Sequence, residues 1–561
     1  MRGRLIVIAL AVVAVVVAAV GSLGGGDDNG GSPSAPAGGP APKGAVRVRF
    51  AYSPEKEPLL AALVGRYNGE GHEVDGRPVF VEARVVSSGE AESSIARGRL
   101  RPTAWSPASS LWGRLLNHDA DRAYVADDNP SLVRTPLVIA MWEPLARTLG
   151  WPRTPIGFAK VLELATSRRG WAAYGKPQYG AFKLGHTNPD FSTAGLSAVA
   201  AEYFTATHKR EGLTKADVGR AAVRSRIRTI ERSIVHYGDT TLFFSDQLAR
   251  FGPAYASAVA MEEVTLIDFN RRHHGTRLVG LYPPEGTFVS DNPYLVLRAP
   301  WVAGAARAAA GDFGSWLRRR LTGDVVARAG FRPGDPDARP APPVDAAHGA
   351  DPRQPRRVLA LPQPDVLAEV KRLWRQDRKP ANVAIVIDTS GSMGEQDKII
   401  QAQQGLQAFV RQFEPADRVS LVSFNSRVFK LVDVAEVGRS RARLRRAIDG
   451  LVPDGETALF DATRDAVAQI RALHDPTRIN AVVILSDGQD TASHNRLDAL
   501  VGELDRQARS EGLAVRVYTI AYGDDADEST LQRIATASGG KEFRGDPRAI
   551  EAVYVSISSF F

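Results

Sequence analysis

Asp388-Thr389-Ser390-Gly391-Ser392 follows directly on the apolar run Val383-Ala384-Ile385-Val386-Ile387. An aspartate and two serines at alternate positions, where a buried strand would end, place three hard oxygen donors on one loop. Two later segments add to them. Gly455-Glu456-Thr457-Ala458-Leu459 offers a hydroxyl at Thr457, and Val483-Ile484-Leu485-Ser486-Asp487 offers a carboxylate at Asp487, again just past an apolar run. Carboxylates and hydroxyls without Cys or His suit Mg2+ or Mn2+ in near-octahedral geometry rather than zinc or copper. Glu395 and Asp397 read differently, as first-turn acids of a helix beginning there, where the macrodipole favours negative charge.

Strand-like runs at 382–387, 418–424, 481–486 and 515–521 are interspersed with amphipathic stretches near 396–413, 459–473, 496–510 and 548–558. That order predicts an α/β fold, a parallel sheet covered on both faces, with Ser426 to Val434 as a short antiparallel edge strand. Ligands of such sheets bind beyond the carboxyl ends of the strands, where all three oxygen-bearing segments fall. Residues 381–561 resemble a von Willebrand factor A domain, a doubly wound, Rossmann-like fold. The three segments resemble that family's metal-ion-dependent adhesion site (MIDAS), with Asp388, Ser390, Ser392, Thr457 and Asp487 at the matching positions. The resemblance implies a Mg2+ or Mn2+ ion that engages an acidic side chain of a protein partner. The residues point the same way. Neutral hydroxyl ligands leave the ion with excess charge and a position for an incoming carboxylate. The extra carboxylates of a two-metal hydrolase are missing from these loops, and no Ser–His–Asp set or cofactor loop emerges elsewhere, so binding rather than enzymatic turnover is expected.

The other end of the chain speaks to compartment. Arg2 and Arg4 precede residues 5–20, an unbroken Leu, Ile, Val and Ala run. Sixteen helical residues reach about 24 Å, short of a hydrocarbon core of about 30 Å, and extension through Leu23 brings the reach close to spanning. Residues 1–23 are therefore expected to be an uncleaved single-pass anchor in the cell membrane, with a cleavable signal as the rival. Either way the arginines stay inside and the bulk of the chain is extracytoplasmic. The 561 residues contain no Cys, which excludes disulfides and a Cys-linked lipid.

Residues 24–45 are mostly Gly, Pro, Ala, Ser and Asp and read as a flexible linker. Seven prolines punctuate a second linker at 333–357, and 358–380 is a connecting segment in which Val366 to Trp374 suits a short helix. Between the linkers, residues 46–332 are long enough for a two-lobed domain. Val46 to Tyr52 alternates as a strand and turns at Ser53-Pro54-Glu55-Lys56 into an apolar helix. Val79 to Val86 is a second strand, Arg134 to Met141 leaves this lobe, and Pro293 to Leu297 returns to it.

This segment resembles bacterial extracellular solute-binding proteins, the two-lobed, periplasmic-binding-protein-like receptors. Its most telling stretch is Asn188-Pro189-Asp190-Phe191-Ser192-Thr193-Ala194-Gly195, similar to a motif that oxyanion-binding members place at a helix start. Hydroxyls at Ser192 and Thr193, with free backbone N–H groups at a helix N-terminus, make an anion seat; capping of their own helix is the competing reading. The resemblance further implies solute contacts at Ser53, Ser106, Thr135, Asn188 and Tyr282. The Arg-rich stretch 199–236 reads as a solvated face.

Formal charge is +8 overall, yet 381–561 hold 21 Lys and Arg against 26 Asp and Glu, so the remainder is strongly basic. A basic segment beside a membrane suits anionic lipid or a small anionic solute, while export and scattered arginines argue against nucleic acid. The expectation is a membrane-anchored binding or adhesion protein with a Mg2+-dependent adhesion site and a solute-sensing domain. The alternative is the substrate-binding receptor of an ABC-type importer for a small anion.

Overall fold

The computed structural model describes residues 40–126, 128–509 and 514–561. Its first strand, β1 (Val46–Tyr52), turns Val46, Val48 and Phe50 inward and Arg47 and Arg49 outward, the alternation of a strand with one solvated face. β2 (Glu73–Val74), β3 (Arg77–Val85) and β4 (Ala104–Ser106) complete the first lobe's sheet, with β3 and β4 parallel to β1 on either side. β5 (Val133–Trp142), β6 (Leu184–His186), β7 (Ala258–Glu262), β8 (Leu278–Leu281) and β9 (Val289–Ser290) form the second lobe. There β5 pairs antiparallel with β7, β8 and β9, and β6 runs parallel to β7. β10 (Leu295–Val296) then returns to pair with β4, and β11 (Arg332–Pro333) crosses back to β5. These two crossings tie the lobes together.

The Pro-rich stretch after β11 does not run free, contrary to its reading as a linker. Val344 and Ala350 are buried. The Gly349 carbonyl accepts from Gly280 N–H at 2.8 Å, the His348 carbonyl from Asn270 Nδ2 at 2.8 Å and the Ala346 carbonyl from an Arg277 guanidinium N–H at 3.0 Å. Gly349 has φ +81°, and a Cβ there would lie 2.4 Å from the Leu278 carbonyl oxygen. Prolines donate no backbone bond, so the carbonyls of this strap are satisfied by donors of the second lobe.

The helix Pro364–Asp377 follows and carries Val366, Leu367, Val370, Leu373 and Trp374 inward. Its last residue, Asp377, accepts from both Arg224 and Arg228 at 2.7–2.9 Å. Part of the supposedly solvated Arg-rich face is thus a docking surface for the connecting helix.

The third sheet comprises β12 (Ala381–Asp388), β13 (Arg418–Phe424), β14 (Val428–Glu436), β15 (Ile479–Ser486), β16 (Arg516–Tyr522) and β17 (Glu542–Gly545), in the order β14-β13-β12-β15-β16-β17. All neighbours are parallel except the edge strand β14. Every residue of β12, β15 and β16 is buried, as a sheet covered on both sides requires. Ile385, Ile387, Val483 and Leu485 share one core with Leu406 and Phe409 of the helix Lys398–Gln412 and with Tyr554 and Ile557 of the helix Ile550–Ser558. Ala384, Val386, Val482 and Ile484 face the other way, against the helices Leu459–Arg471, Leu497–Arg509 and Glu528–Ser538. This is the doubly wound α/β fold.

No helix among the described residues is long and apolar enough to cross a membrane. That overturns the expected single-pass membrane localisation; the apolar run at 5–20 that motivated it lies outside the described residues.

Candidate metal centre and inter-lobe cleft

Asp388 ends β12 with its side chain fully buried. One carboxylate oxygen accepts from the Ser390 N–H at 2.8 Å and the other from the Ser486 hydroxyl at 2.5 Å. Ser390 Oγ lies 3.1 Å from Ser392 Oγ, and Ser392 Oγ donates to Asp487 Oδ1 at 2.8 Å. A Cβ built on Gly488 would sit 3.8 Å from Thr457 Oγ1 and 3.9 Å from Ser392 Oγ, so Thr457 faces the same spot. The backbone locks the loops to one another. Gly391 N–H donates to the Gly455 carbonyl at 2.9 Å, Asp454 N–H to Thr389 O at 2.8 Å, and Thr389 N–H to Phe424 O at 2.8 Å. All five residues expected at a metal centre are therefore gathered at the carboxyl end of one sheet.

The donor set is all oxygen and is centred on two buried carboxylates, Asp388 and Asp487, which fits a hard divalent ion. Burial, with Asp487 adding to it, pushes the Asp388 carboxyl up to about 6 despite hydrogen bonds from Ser486 and Ser390. Sequence reasoning missed Lys398, whose ammonium donates to Asp487 Oδ2 at 2.7 Å from a nearly buried position. Burial opposes its charge, but the Asp487 carboxylate raises its pKa above the ordinary value. The available signal was a lone cation opening an amphipathic helix beside Ile399, Ala402 and Leu406. Glu395 and Asp397 precede that helix in a turn rather than lying in its first turn.

The lobes of the first unit border a narrow cleft lined by Ser53, Glu55, Ser88, Ser192, Thr193, Asp239, Thr241 and Glu262 among others. The lobes touch beside it: Gly89 N–H donates to Phe191 O at 2.8 Å, and a Cβ on Gly89 would lie 2.1 Å from Asp190 O. Of the residues expected to meet solute, Ser53, Ser192 and Thr193 line this cleft. Thr193 Oγ1 accepts from Trp112 Nε1 at 2.7 Å, and Ser53 Oγ donates to Glu55 at 2.5 Å. The other four have structural employment or lie off the lining. Thr135 Oγ1 accepts from Val264 N–H at 3.1 Å, and Asn188 Oδ1 closes a turn onto Asp190 N–H at 2.9 Å. Tyr282 donates to Glu263 and accepts from Asp351 N–H. Ser106 is buried with its hydroxyl unpartnered and does not border the cleft.

Charge is the larger correction. Glu55, Asp239 and Glu262 bring three carboxylates to the cleft, and among the described residues no Lys or Arg lines it. The Lys56 ammonium is turned inward, ion-paired with Glu55 at 3.3 Å and bonded to Ser53 Oγ, Asn292 Oδ1 at 2.8 Å and Pro107 O at 3.1 Å. Burial, then repulsion from Glu55, pushes Glu262 up to about 7. Asp239 pairs at 2.5 Å with Lys541, which is contributed by the C-terminal domain just before β17.

Residues 382–547 match the family model described as von Willebrand factor type A domain, which makes the third sheet and its helices a domain of that type. An uncharacterized protein of Mycobacterium tuberculosis is 22% identical over 480 residues, spanning 82% of this chain and 68% of the relative. Among solved structures, a von Willebrand factor type A protein from Catenulispora acidiphila is similar over 32% of this chain and 42% of its own, with 19% identity and a TM-score of 0.29. A periplasmic thiamin binding protein is similar over 60% of this chain and 99% of its own, with 8% identity and a TM-score of 0.44.

Proposed function

We propose that this chain is a two-site binding protein. In the C-terminal domain, taken as 381–561, Asp388, Ser390, Ser392, Thr457 and Asp487 hold Mg2+ or Mn2+, and the ion receives a carboxylate from a protein partner. The observation that carries this reading is the convergence of five oxygen-bearing side chains, from three loops tied by backbone hydrogen bonds, around buried Asp388. The bound ion supplies positive charge and an exchangeable coordination position. The protein's own contribution is to hold the hydroxyls and carboxylates in place beforehand, with Ser486 and the Ser390 N–H orienting Asp388.

The first unit, taken as 46–332, receives a small solute between its lobes. Three carboxylates and several hydroxyls support a cationic solute rather than the anion suggested by the Ser192-Thr193 helix start. Even with Glu55 offset by Lys56 and Asp239 by Lys541, the described lining offers an anion no free cation and sets Glu262 against it.

Titration calorimetry of Mg2+ into the wild type and Asp388→Ala tests the metal reading, paired with partner capture in chelator. Measurable binding in the wild type and none in the variant is expected. At a hundredfold excess over Kd the ion should stabilise the wild type by about 2.7 kcal/mol. Equal affinity in the two proteins, or capture indifferent to chelator, would refute it.

A further inference from the structure

Away from both sites, three buried ligand-type side chains meet in the second lobe. His186 ends β6, Glu202 lies in the helix Thr193–Thr207 and Glu231 in the helix Ala221–Arg232. One ligand atom from each falls within 4.8 Å of the others. None of the three is more than 1% exposed.

The surroundings orient two of them as ligands. His186 Nδ1 lies 2.8 Å from the Thr187 carbonyl oxygen, so its N–H donates there and Nε2 is turned toward Glu231, 3.2 Å from Oε1. The other Glu231 oxygen accepts from the Tyr237 hydroxyl at 2.5 Å, and that hydroxyl accepts from Lys379 N–H at 2.9 Å. A backbone carbonyl behind an imidazole and a hydrogen bond behind a carboxylate are the outer partners that fix metal ligands in place. Glu202 is different. Neither of its carboxylate oxygens has a hydrogen-bond partner, although the side chain is buried and aimed into the cluster. A polar group left so inside a protein is costly, and a cation on it removes the cost.

We propose that His186, Glu202 and Glu231 bind one divalent transition-metal ion, with Zn2+ the best match, as a structural centre independent of the Asp388 site. Two carboxylates cancel the charge of a dication in a dry interior. An imidazole in the set selects Zn2+ and its neighbours over Mg2+ and Ca2+. The centre would pin two helices to β6. Through Tyr237 it would also brace Lys379, two residues before β12 begins.

The competing state is an ion pair between His186 and Glu231 beside a protonated Glu202, and it is also charge-balanced. Glu202→Gln separates the two, because glutamine copies a protonated glutamic acid in shape yet is a poor ligand. Untagged full-length protein carrying Asp388→Ala, which removes the other centre, is stripped with chelator and reloaded with Zn2+ or Co2+. Elemental analysis should find one equivalent retained, Co2+ should give visible absorption bands, and Tm should rise by at least about 3 °C. Adding Glu202→Gln should abolish all three, and Glu231→Gln should do the same if the first variant fails to fold. No retained equivalent in the Asp388→Ala protein, or unchanged loading after Glu202→Gln, would overturn the proposal in favour of the ion pair.

Discussion

At the scale of single residues, Lys398 is the side chain that most changes how the C-terminal site is understood. Its ammonium sits on Oδ2 of Asp487, whose Oδ1 accepts from the Ser392 hydroxyl, and balances that carboxylate. It stabilises the metal-free loops and opposes an incoming cation. Lys398→Met should therefore lower the Tm of the metal-free protein while enlarging the upward shift produced by Mg2+, both read by thermal melts with and without chelator. An unchanged Mg2+ shift would show that the ammonium does not compete. Glu262 gives a pH signature to the other site. Its folded-state value, about 7, stands above the usual 4.5. Its contribution is therefore fully present below about pH 4.5 and is lost as pH rises through about 7, a difference of about 3 kcal/mol. Unfolding midpoints of the solute-free protein between pH 4.5 and 8 should fall accordingly, and Glu262→Gln should flatten the profile. A cationic solute needs Glu262 ionised, so its affinity should rise over the same window.

At the scale of elements, the connecting helix Pro364–Asp377 shows what a periodic pattern can and cannot tell. Its apolar residues at 366, 367, 370, 373 and 374 mark a helix with one buried face. They carry no information about which partner that face meets. The partner proves to include the helix Ala221–Arg232, through Arg224 and Arg228 on Asp377. Asp377→Ala should cost about 1–2 kcal/mol in chemical denaturation, below the loss for a fully buried pair because both arginines remain partly exposed. A loss too small to measure would mean that the apolar face alone holds the helix. The Pro-rich strap teaches a related lesson. Proline composition signals the absence of regular structure, but Asn270 and Arg277, more than sixty residues earlier, decide that the strap packs.

At the scale of the whole molecule, the C-terminal domain leans on the second lobe of the first unit. Phe560 meets Phe243 edge-on with centroids 5.1 Å apart, the Arg516 guanidinium lies 4.9 Å over Tyr255, and Arg250 pairs with Asp505. Lys541 goes further and reaches the lining of the cleft through Asp239. Removing it should free that carboxylate for solute. Lys541→Ala is expected to tighten binding of a cationic solute by up to about fivefold, the range of a partly exposed ion pair, while leaving Mg2+ affinity unchanged. Weaker solute binding in the variant would show that Lys541 shapes the cleft rather than competing for it.

The sequence by itself determined the parallel sheet of residues 381–561 and the gathering of its oxygen donors. A strand covered on both faces is written as an unbroken apolar run. The residues just past its carboxyl end must lie on one rim of the sheet, so Asp388 and Asp487 meet by topology. The Lys398 contact, the acidic cleft, the strap and the His186, Glu202 and Glu231 cluster were decided only by the tertiary structure. Each joins side chains from separate elements, and no local period records which helix packs where. The Ser192-Thr193 helix start was legible as an anion seat. Glu262, seventy residues later, and Lys541, from another domain, set the charge around it, because electrostatic energy depends on distance through space rather than along the chain.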